Sequence, residues 1–169
     1  MQESHRALLR RIRWCLGFFK VGLILSGVTA FPLQGELRLL DSFLSGSVGH
    51  TVAQLGLAYW IHSVHEGLEQ TYAQYPWMAY GKDWLAFAHI IIAIFFIGPF
   101  INPVRNIWVL QAGMVACLLV IPLALICGAL RQIPFGWRLI DCSFGIGGIV
   151  PLYFCWRWAR ILELSETKS

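Results

Sequence analysis

From Ile107 to Leu130 the chain runs for 24 residues without one Asp, Glu, Lys, Arg or His. As a helix rising 1.5 Å per residue, such a run is about 36 Å long, enough to cross roughly 30 Å of hydrocarbon. Three more apolar runs approach this length, at 15–33, 84–101 and 137–155. Together with 107–130 they predict four transmembrane helices.

Composition agrees. Hydrophobic residues make up 57% of the chain and charged residues 13%, where a soluble domain carries about a quarter charged. A single core built from 169 residues cannot hide that much apolar surface, so the excess must face lipid. The expectation is one membrane domain over 1–169: an all-α integral membrane bundle of four transmembrane helices, with an extracytoplasmic amphipathic helix between the first and second spans.

Lysine and arginine orient the bundle. With both termini inside, the inner side holds Arg6, Arg10, Arg11, Arg13, Lys20, Arg105, Arg157, Arg160 and Lys168. The outer side holds Arg38, Lys82, Arg131 and Arg138. Nine against four follows the positive-inside rule and places the N- and C-termini in the cytoplasm. The basic residues gather at span ends, which marks orientation and not nucleic-acid binding. The start of the chain also has the order of a secretory signal peptide: a basic region, an apolar run, then Val28-Thr29-Ala30. Cleavage would leave three spans; the length of the run and Phe18, Phe19 and Phe31 favour a retained anchor. Within that span Gly22, Ser26 and Ala30 recur every four residues, a small-residue face suited to close helix contact. The five cysteines, Cys15, Cys117, Cys127, Cys142 and Cys155, are spread over apolar segments and form no CxxC pair. They read as small packing residues, not a disulfide framework.

The extracytoplasmic segment, 34–83, has its own pattern. A short amphipathic piece is expected over Glu36 to Leu44. A longer helix is expected from His50 to Gln74, with Leu57, Trp60, Ile61, Val64 and Leu68 on its apolar side. A fifth span at 48–64 competes, but His50, Gln54 and His62 interrupt it. Gly98-Pro99 predicts a kink near the end of the second span, Asn102-Pro103-Val104-Arg105-Asn106 a tight turn, and Pro122, which removes a backbone donor, a kink or a packing partner in the third.

Ionisable residues within spans are costly and are the first places to look for function. His89 in the second span and Asp141 in the fourth stand at similar depth from the outer side. Ala86 and Ala93 share a face with His89, and Gly145 and Gly148 with Asp141, so both should point into the bundle. A His89–Asp141 pair, extended by Asp83 and Arg138, would form a polar pocket near the outer leaflet. The competing reading is a structural hydrogen bond, with Arg138 neutralising Asp141. A second set, His62, His65 and Glu69, falls on one side of a helix, where imidazoles and a carboxylate suit a metal ion. A solvated polar face is its ordinary alternative. If that helix lids the bundle, the two sets and His50 meet in one pocket. Bis-histidine haem ligation is compatible with that arrangement, though no CxxCH motif is present.

Three stretches have a familiar cast: Tyr75-Pro76-Trp77-Met78-Ala79-Tyr80-Gly81-Lys82-Asp83-Trp84-Leu85-Ala86-Phe87-Ala88-His89, Asn102-Pro103-Val104-Arg105-Asn106, and Ile133-Pro134-Phe135-Gly136-Trp137-Arg138-Leu139-Ile140-Asp141. They resemble segments of uncharacterised small bacterial polytopic inner-membrane proteins. The resemblance implies the cell inner membrane and carries no activity or site residue. Three functional readings stay open. One is a redox, metal or proton-linked pocket. The second is a non-catalytic accessory subunit with a membrane-protein partner. The third is a small-solute or proton-coupled carrier.

Overall fold

The computed structural model describes residues 2–44 and 57–166. Among the described residues seven α-helices follow in order: α1 (Gln2–Ala30), α2 (Leu33–Leu44), α3 (Leu57–Gln74), α4 (Ala79–Phe95), α5 (Ile97–Ile101), α6 (Ile107–Leu130) and α7 (Phe135–Glu166). A 3-10 turn over Pro76–Met78 joins α3 to α4. No strand occurs among the described residues. Among the described residues four helical segments are long and apolar enough to cross a membrane: His5–Ala30, Pro76–Ile101, Ile107–Leu130 and Phe135–Glu166.

The packing order is α4 on α1, α1 on α7, and α7 on α6. The first and last helices therefore meet, and the bundle has two distinct ends. At one end lie the N-terminal half of α1, α5, the start of α6 and the end of α7. Here the core closes: Ile12 and Leu16 of α1, Phe96, Val109 and Leu110, and Leu152, Cys155, Ala159 and Leu162 of α7 form one buried cluster. Phe19 meets Phe96 edge-on with ring centroids 4.9 Å apart. This is the termini end. At the opposite end α2 and α3 pack on each other as a helical hairpin.

The helices run past the expected spans or break within them in several places. The fourth span is expected over 137–155, and α7 continues past it to Glu166. Cys155, Ala159 and Leu162 repeat at i, i+4, i+7 and keep one face buried against α1 after the purely apolar run has ended. Likewise α1 begins at Gln2, well before the apolar run, because Ile12 and Leu16 already face that core. The second span is not continuous. Pro99 cannot donate to residue 95, and its ring crowds that carbonyl, so the helix is interrupted at Phe96 and resumes as α5. By contrast α6 runs through Pro122. The 50–56 part of the expected long helix, with His50, lies outside the described residues; α3 accounts for the rest.

Two connections are fixed by specific bonds. In the α5–α6 turn, Asn102 Oδ1 accepts from the Arg105 backbone N–H at 2.9 Å, and Asn106 Nδ2 donates to Asn102 O at 2.9 Å. After α6, Ile133 N–H reaches back to Gly128 O (2.9 Å) and Gln132 N–H to Ala129 O (3.1 Å). That is a Schellman cap, and it places Gln132 at φ 57°.

Glycine sets the close approaches. A Cβ on Gly27 would lie 2.8 Å from Ala86 O and 3.1 Å from His89 Cβ, and one on Gly145 would lie 2.5 Å from Cys117 O. The Gly22, Ser26, Ala30 stripe does not make the α1 contact. Nothing lies within 4 Å of a Cβ on Gly22, and Ser26 is exposed. The face that meets α4 is the neighbouring one, at Gly27.

Candidate functional site

The hairpin end gathers the polar residues. On α2, Leu37 is turned inward, while Arg38 and Asp41 stand one turn apart along an adjacent face. On α3, buried Ile61 fixes which side faces α2. Its neighbours His62 and His65 are thereby presented to Asp41. Asp41 Oδ2 is 3.0 Å from His62 Nδ1 and 3.2 Å from His65 Nδ1. One carboxylate oxygen thus bridges two imidazoles. The Asp41 and His65 side chains are 18% and 14% exposed, and His62 is 52% exposed. The outer nitrogen of His62, Nε2, lies 3.4 Å from Glu66 Oε1.

The electrostatics follow from this geometry. The hydrogen bond from His62, reinforced by His65 and by the charge each imidazole carries when protonated, holds the Asp41 carboxyl below its ordinary range, although desolvation opposes the shift. The same bond to Asp41, with the charges of Asp41 and Glu66, raises His62 above its ordinary value.

Glu69 does not join the histidines. Its Oε1 is 3.2 Å from Arg38 Nη2, a second α2–α3 link beside the first. The set His62, His65 and Glu69 is therefore divided: the imidazoles take Asp41, and Glu69 takes Arg38. Both Nδ1 atoms address one oxygen at hydrogen-bonding distance. Among the described residues no group of three or more His, Cys, Asp or Glu side chains has the arrangement of a metal site.

The proposed transmembrane pair is not brought together. His89 Nδ1 donates to Leu85 O in its own helix at 2.8 Å, and its Cβ packs at the α1–α4 contact beside Gly27. Asp141 lies on α7, which packs on α1 and α6. No hydrogen bond or ion pair joins it to His89 or to Arg138. The Arg138 stem lies against Gly128, its guanidinium sits 5.3 Å from the Phe135 ring centroid, and Nη1 reaches Leu125 O at 3.4 Å. Gly145 and Gly148 do lie at a helix contact, but the partner is Cys117 of α6. Asp83 pairs with Lys82 at 3.4 Å, and Lys82 Nζ also donates to Phe31 O, which ties the start of α4 to the end of α1.

Sequence reasoning thus missed Asp41, Arg38 and Glu66. A signal was present: Arg38 and Asp41 are spaced i, i+3, beside the Leu33, Leu37, Leu40, Leu44 stripe. The partner helix was legible, but the pairing of the two was not. The chain matches no protein-family model, no curated protein and no solved structure.

Proposed function

We propose that this chain is a multi-pass integral membrane protein whose α2–α3 hairpin is proton-linked. In this reading the hairpin stands on the extracytoplasmic side of the inner membrane, and both termini stand in the cytoplasm. The four long apolar helices support the insertion. The nine-to-four distribution of basic residues supports the orientation.

The single observation that carries proton linkage is Asp41 Oδ2 shared between His62 and His65. In the neutral state each imidazole keeps its proton on Nδ1 and donates it to Asp41, leaving Nε2 as a base. Proton uptake at His62 Nε2 gives a cation with a carboxylate at either nitrogen, Asp41 and Glu66. Asp41 comes from α2 and both imidazoles from α3, so the proton changes how firmly the two helices hold each other. Imidazole is the side chain whose ordinary titration falls in the physiological range.

The test is histidine NMR of the protein in phosphatidylglycerol–phosphatidylcholine vesicles, titrated from acid to alkaline pH. His62 should titrate above its ordinary 6.5. In Asp41→Asn it should fall back toward that value. An unshifted His62 in the wild type, or a shift that survives Asp41→Asn, would end the reading.

A further inference from the structure

The termini end carries a second constellation, unrelated to the hairpin. Arg6, Arg10 and Arg13 are spaced i, i+4, i+7 and stand along one face of α1. With Leu9, Trp14 and Gly17 of the same helix and Phe100 of α5 they line an open groove of about 530 Å³. Arg13 Nε donates to Phe100 O at 3.4 Å, which anchors one wall. None of the three arginines forms an ion pair among the described residues. Among the described side chains, two acids at this end have partners outside the groove: Glu163 with Arg160, and Glu166 with His5.

The groove changes character along its length. Toward the start of α1 it presents Arg6, Arg10 and Arg13, with Leu9 among them. Toward Gly17 it is lined by that residue's bare backbone and the ring of Phe100, with the Lys20 ammonium 5.0 Å from that ring's centroid. Exposed Trp14 stands between Arg13 and Gly17 along α1. Tryptophan favours the headgroup level of a bilayer, and guanidinium forks match the two free oxygens of a phosphodiester. A Cβ on Gly17 would touch only Phe100 Cε2, at 3.9 Å, so the missing side chain leaves an apolar slot.

We infer that this groove binds an anionic phospholipid, its phosphodiester held by Arg6, Arg10 and Arg13 and one acyl chain laid along Gly17 and Phe100. The inference rests on the membrane reading above. A positive span end needs basic residues anywhere around the helix. It does not need three arginines on one face above an apolar slot.

The experiment uses full-length protein, delipidated in detergent, with bound lipid counted by native mass spectrometry and unfolding followed by circular dichroism. Phosphatidylglycerol should bind saturably and raise the unfolding midpoint, about tenfold or more tighter than phosphatidylcholine. Free glycerol phosphate should not compete at matched concentration. The Arg6→Gln/Arg10→Gln/Arg13→Gln variant should lose that preference, while Arg157→Gln/Arg160→Gln, at the same end of the bundle, should keep it. Gly17→Leu fills the slot without altering charge and should also weaken binding, which covers the case of a misfolded triple variant. Equal binding of the two lipids, or unchanged selectivity in both groove variants, overturns the inference. Competition by glycerol phosphate equal to that of the lipid overturns the lipid assignment. Carbonate extraction of native membranes separates the two failures. Release of the protein into the supernatant overturns the membrane reading itself, whereas retention without lipid selectivity overturns this inference alone.

Discussion

At the scale of single residues, the chemistry turns on Asp41. A depressed carboxyl contributes stability that is present above its ordinary value of 3.8 and is lost as pH falls through the depressed one. A raised imidazole contributes stability that is full below its ordinary 6.5 and is lost as pH rises through the raised one. Both contributions coexist between these ordinary values, so the α2–α3 hairpin should hold most firmly in mildly acidic solution and loosen toward alkaline pH. Hydrogen exchange, corrected for intrinsic rates, should report faster opening of 33–44 and 57–74 at alkaline pH than at mildly acidic pH. Asp41→Asn should flatten that difference. A pH-independent protection ratio in the wild type would contradict the assignment. The sequence made His62 and His65 visible because two imidazoles on one helical face stand out in so apolar a chain. It did not reveal Asp41, because nothing local says which carboxylate of a neighbouring helix will stand opposite. Nor did it separate Glu69 from the histidines, since spacing alone cannot weigh Arg38 as a competitor. His89 and Asp141 were conspicuous for their cost in hydrocarbon, but depth along two spans says nothing about whether those spans touch.

At the scale of elements, the helices are held by small residues at specific contacts, and neighbouring glycines should behave oppositely. In α7, Gly145→Ala drives a Cβ toward Cys117 O, a backbone atom that cannot move aside. We expect a loss of about 1–3 kcal/mol, as for an overpacked core. Gly147 faces open space, so Gly147→Ala should be neutral or stabilising by up to about 1 kcal/mol through helix propensity. Unfolding of the two variants in matched detergent decides the point, and equal effects would refute the contact. The cap after α6 gives a further expectation. Gln132 sits in the left-handed region, where a side chain costs about 1 kcal/mol. Gln132→Gly should raise stability by roughly that amount, measured the same way. The four long apolar helices were legible because stretches with little charge are long and unmistakable. Helix ends were not: where charged residues dilute the pattern at Arg157 and Arg160, the Cys155, Ala159, Leu162 repeat continues the helix, and charge was read as its boundary. The choice of Gly27 over Gly22 as the contact was hidden for a related reason. The partner's shape selects the face, and one helix's sequence does not contain the partner.

At the scale of the whole molecule, the proposed topology makes a direct prediction. Fluorescent-protein fusions at either terminus should fluoresce, and alkaline phosphatase fused after Gln74 should be active; the reverse pattern would invert the orientation. The meeting of α1 with α7 has a consequence for how the protein is made. Ile12 and Leu16 leave the ribosome well before four of the side chains that cover them, Leu152, Cys155, Ala159 and Leu162. During translation α1 has α4 as a neighbour, while its N-terminal face stays unfilled until α7 arrives. Closure of this core is thus deferred until residues 152–162 are made, and a chain that stalls or terminates before residue 152 is born with the N-terminal part of α1 uncovered.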